Sequence, residues 1–111
     1  MEALMQFFSR VAFSFISISF SFPSFAASDE AWKAFQDEVR SACLEAAGES
    51  LEGAKALVDP FGSETFGLAL VGGKSKWSDD RLGMICVFNK QSKTVELSGE
   101  LDAGQVSETL E

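Results

Sequence analysis

Two cysteines, Cys43 and Cys86, have the most specific chemistry open to any residues of this sequence. In an oxidising compartment they would pair as a disulfide, the common staple of small exported domains. They do not form a Cys-x-x-Cys, so the spacing of a thiol-exchange site is absent. Two thiolates without a single histidine also fall short of the four ligands usual for zinc. The pair is therefore read as structural, and no cofactor or metal is expected. Closing a loop of this length stabilises a fold by about 4 kcal/mol in the chain-entropy account.

The carboxylates come next. Adjacent acids occur at Asp29/Glu30, Asp37/Glu38 and Asp79/Asp80. Two carboxyl groups can run glycoside hydrolysis when burial raises the pKa of one. Each pair here falls on an expected exposed helix face or in a loop, where solvation explains it. The serines have no histidine to activate them, which removes a Ser-His-Asp device. Asp79 and Asp80 lack the spacing of a calcium-binding EF-hand loop. The run Gly67-Leu-Ala-Leu-Val-Gly72-Gly73-Lys74-Ser75 superficially resembles a phosphate-binding loop. Gly73 stands where that motif requires Lys, so a glycine-containing flexible loop is expected instead.

Trp77 is the most conspicuous candidate for a binding residue. It lies in a polar stretch beside Lys74, Lys76 and Arg81, in a chain of formal charge −8. An aromatic side chain with a basic rim is the composition of an interface hot spot. The alternative is that Trp77 folds back over an open sheet edge and leaves the cations solvated. The acidic balance, with no basic block, argues against nucleic acid as a partner.

The 111 residues suffice for one small domain. The composition is uneven, however, because seven of the eleven Phe fall within residues 1–26. Arg10 is followed by an uncharged apolar run, then Pro23, with small residues at Ser24 and Ala26. This reads as a secretory signal peptide over residues 1–26, cut between Ala26 and Ala27, whether translation begins at Met1 or Met5. The apolar run is short of the ~20 residues needed to span a bilayer, so no stable membrane anchor is expected. Phe and Ser also alternate between positions 13 and 22, which would suit a strand with one apolar face. The cleavage pattern favours the leader. The charge of −8 then belongs entirely to residues 27–111, because Glu2 and Arg10 cancel.

Several elements would position these residues. Ser28 can cap a helix with Asp29 and Glu30 in its first turn. Trp32, Phe35, Val39, Ala42, Cys43 and Ala46 then repeat at helical spacing, with Gly48 as the stop. Period-two patterns follow over Ala54–Val58, Thr65–Val71, Leu82–Phe88 and Thr94–Ser98. Asp59-Pro60-Phe61-Gly62 and Asn89–Lys93 are turns, and 72–81 is a loop. From Glu100 onward a frayed acidic tail is expected. The sum is an α+β domain with one long helix on a three- or four-stranded antiparallel meander. Its helix would cover Leu82, Met84, Cys86 and Phe88, pinned there by the disulfide and packed through Trp32 and Phe35. The other sheet face would carry the small residues Gly67, Ala69 and Val71 with Gly83, Ile85 and Val87, an uncovered surface suited to homodimerisation.

The segments Gly62-Ser-Glu-Thr-Phe-Gly-Leu-Ala-Leu-Val71 and Arg81-Leu-Gly-Met-Ile-Cys-Val-Phe-Asn-Lys90 resemble small uncharacterised periplasmic proteins of alphaproteobacteria. The resemblance spans about residues 30–100 and implies export to the periplasm, with no activity or functional residue attached. The expectation is a non-enzymatic periplasmic module that binds a protein or an envelope component, an inhibitor of a secreted or host hydrolase being one form. A carboxylate-dependent hydrolase and a purely structural homodimer are the alternatives.

Overall fold

The computed structural model describes residues 28–111; the expected leader and its expected Ala26–Ala27 cleavage site lie outside them. Helix α1 spans Asp29–Ala47. Ser28 caps it, its hydroxyl accepting from the Ala31 amide at 3.2 Å. Val39, Cys43 and Ala47 are spaced four apart and buried completely, which gives α1 one narrow core-facing stripe. The helix stops at Gly48, whose amide still donates to the Leu44 carbonyl at 2.9 Å. Gly48 keeps right-handed dihedrals, so no left-handed cap is used.

Strands β1 (Leu51–Val58), β2 (Phe66–Ser75), β3 (Arg81–Asn89) and β4 (Val95–Leu97) form an antiparallel sheet in chain order. The two-residue β5 (Leu101–Asp102) pairs with β3 next to β4, and leads into helix α2 (Ala103–Thr109). The expected frayed tail is therefore a strand and a helical turn instead. Asp102 accounts for this: its carboxylate accepts from the Gln105 amide at 3.0 Å and starts α2. The domain thus has two helices, where the sequence suggested one.

Both turns form as the sequence suggested, through side-chain acceptors. Asp59 Oδ1 accepts from the Phe61 and Gly62 amides, each at 3.1 Å. Gly62 has φ 68°, and a β-carbon there would collide with the Phe66 carbonyl. Asn89 Oδ1 accepts from the amides of Gln91 and Ser92 at 2.9 and 3.0 Å.

Cys43 and Cys86 are disulfide-bonded, with Cα atoms 5.9 Å apart and no exposure on either. The bridge joins the C-terminal part of α1 to the middle of β3. Around it lie Val58, Ala69, Val71, Met84 and Phe88.

One assignment of faces is corrected. The pairing sets Gly67 beside Phe88, Ala69 beside Cys86 and Val71 beside Met84. The small residues of β2 therefore share the helix-facing side with the bulky residues of β3. The reason is space: a β-carbon at Gly67 would sit 2.6 Å from Val39 Cγ2, so α1 can approach only over a strand that lacks side-chain bulk. The opposite face carries Leu57, Leu68, Leu70, Ile85 and Val87, with Gly72 and Gly83 side by side near one end. Of the residues expected there, Gly83, Ile85 and Val87 remain; Gly67, Ala69 and Val71 are under α1.

Candidate functional site

Strand β2 continues through Ser75, and β3 begins at Arg81. Only Lys76–Asp80 form the connection, so the long loop expected over 72–81 is a tight hairpin tip. Its backbone is tied down at several points. Ser75 donates its amide to the Asp80 carbonyl at 2.9 Å, and the Lys76 amide reaches the Ser50 carbonyl at 3.0 Å. The Ser75 side chain is buried, and its hydroxyl accepts from the Trp77 amide at 3.1 Å. Ser78 Oγ accepts from the Asp80 amide and donates to Asp80 Oδ2.

On this fixed backbone Trp77 stands 74% exposed. It does not fold back over the sheet edge. Lys74 and Arg81 are cross-strand partners at the base of the tip, and Lys76 precedes Trp77 within it. The fold thus brings Lys74, Lys76, Trp77 and Arg81 to one end of the sheet. Lys74 contacts Asp79 Oδ1 at 3.5 Å. Lys76 and Arg81 have no carboxylate within ion-pair distance among the described residues. An indole held by a pre-set backbone loses little conformational freedom on binding, which suits contact with a partner.

The glycine run that suggested a phosphate loop is extended strand, and Gly67 and Gly73 in it serve packing. Gly67 admits Val39. At Gly73 a β-carbon would meet the Glu52 carbonyl at 3.0 Å and Leu51 Cβ at 3.2 Å. Each Asp and Glu among the described residues is exposed. Asp37 pairs with Arg40 at 3.2 Å and Glu38 with Lys93 at 3.0 Å on the outside of α1. Among the described residues no cluster of three or more His, Cys, Asp or Glu side chains is arranged to hold a metal.

Trp32 and Phe35 lie near the opposite end of the sheet. Phe35 packs against the core, whereas Trp32 meets Phe61 edge-on at 4.9 Å. Lys90 Nζ donates to the carbonyls of Phe61 and Ser63 at 3.0 and 2.6 Å, and sits 5.0 Å from the Phe35 ring. This cluster closes the β1–β2 connection against α1, with a lysine filling the space between the rings.

Sequence reasoning missed the bulky aliphatic character of the sheet face away from α1. Leu57 is 73% and Ile85 46% exposed there. The alternation in β2 and β3 separates large from small residues in each strand. Which set of one strand accompanies which set of the next is fixed by register, a tertiary property.

No protein-family model, curated protein or solved structure matches the chain. Among the described residues no helix is long and apolar enough to cross a membrane.

Proposed function

We propose that the protein is an exported, non-enzymatic binding module that seats the β2–β3 hairpin tip against a partner protein of the cell envelope. The observation that carries this reading is Trp77, largely exposed on a backbone anchored through Ser75. The chemistry of the tip describes its counterpart: an apolar slot that accepts an indole, with acidic groups on the rim to meet Lys76 and Arg81. The buried Cys43–Cys86 bridge supports residence in an oxidising compartment, consistent with a leader over residues 1–26 and with periplasmic localisation. Every described carboxylate is exposed, so none lies in the buried cleft that the hydrolase alternative calls for.

Retention of the envelope partner on immobilised protein tests the reading. Trp77→Ala and Lys76→Glu should each release it while thermal unfolding stays unchanged, because neither side chain packs in the core. Retention equal to that of the unaltered protein would remove the tip as the contact surface.

A further inference from the structure

We propose that the sheet face opposite α1 binds a single-chain anionic amphiphile of the fatty-carboxylate type, headgroup at Lys55 and chain over Leu57, Leu70 and Leu68. Two adjoining shallow depressions on this face, of about 380 and 460 Å³, share Leu57 and Leu70. Ala103 and Val106 of α2 wall the first, and Gly72 and Gly83 are its floor. These two glycines are cross-strand neighbours, so the sheet surface is recessed where side chains would otherwise stand. Leu68, Ile85 and Pro60 line the second. Together they make a shallow apolar trough running along the strands, open to solvent on its outer side.

The charges at its ends are opposite. Lys55 is the only cation lining either depression, and no carboxylate lies within ion-pair distance of it among the described residues. Asp59 lines the other end. The two residues flank Leu57 at equal spacing, roughly 13 Å apart along an extended strand. A carboxylate headgroup is therefore attracted at one end and repelled at the other, which fixes the direction of the chain between them. Covering Leu57 and Ile85 removes apolar surface from water at no cost to any internal polar group. The site shares no lining residue with the hairpin tip, whose Lys74 and Arg81 lie two pairs beyond Gly72 and Gly83, and it does not depend on the role given to Trp77.

Calorimetric titration of the protein with dodecanoate below its micellar concentration tests the proposal. Saturable binding of one molecule per chain is expected, with dodecyltrimethylammonium weaker by about fivefold or more, since it reverses the headgroup charge. Lys55→Glu should weaken dodecanoate by about the same factor. Gly72→Val should block the trough; its β-carbon would meet nothing closer than the Leu82 carbonyl at 3.7 Å, and an unchanged thermal unfolding midpoint would show that the fold is kept. Trp77→Ala should leave binding unchanged, which separates this site from the partner surface. Equal affinity for the two amphiphiles, or dodecanoate bound normally by Lys55→Glu, would overturn the proposal. So would a dimer in light scattering that Leu57→Asp separates, because the face would then be occupied by a second copy.

Discussion

Gly67 and Gly72 lie five residues apart in β2 and face opposite sides of the sheet, and their surroundings differ accordingly. A β-carbon at Gly67 meets Val39 Cγ2 at 2.6 Å and also approaches Phe35 and Phe88. One at Gly72 meets ordinary contact distances only. Gly67→Ala is expected to cost about 1–3 kcal/mol through overpacking, and Gly72→Ala to stay within about 0.5 kcal/mol. Urea unfolding midpoints at unchanged slope measure both. A reversed order would mean that β2 presents its other face to α1. Ser28 offers a further single-residue test. Its hydroxyl accepts from the Ala31 amide, so Ser28→Ala should lower stability by about 1 kcal/mol.

At the scale of elements, local signals located most of the fold. The Ser28 cap, the acids of the first turn and the Val39–Cys43 stripe define α1 from its start to Gly48, because helical periodicity and capping are encoded within a few residues. The Asp59 and Asn89 turns were legible for the same reason. Strand ends were less so: β2 and β3 both run beyond their apolar alternation, since cross-strand hydrogen bonding can hold polar residues such as Lys74 and Ser75 in a ladder. Strand β5 and helix α2 carry little buried surface, and only the Asp102 cap marks them. The identity of the uncovered face depended on register between strands, which alternation within one strand does not contain. Trp77 and its cations were legible as a group, but the anchoring that presents them rests on Ser75 and Ser50, whose roles emerge only when β2 reaches the α1–β1 connection.

For the molecule as a whole, a single covalent link crosses the helix–sheet interface at its most buried point. Both bridging residues are inaccessible, so reductant should act only on molecules that have opened. Thiol release in dithiothreitol is expected to follow the opening reaction and accelerate in urea; rapid release in native buffer would contradict burial of the bridge. Once broken, the bridge should cost up to about 4 kcal/mol, a large share of the stability of so small a domain. The hairpin tip and the aliphatic sheet face are both exposed on the scaffold that this staple holds. The most direct test of the tip as the contact surface is photo-crosslinking in the native host, with the photoreactive residue placed at position 77 and, for comparison, at position 33 on the exposed side of α1. A discrete adduct from position 77 and none from position 33 is the predicted result. Adducts of equal yield from both positions, or none from 77, would contradict it.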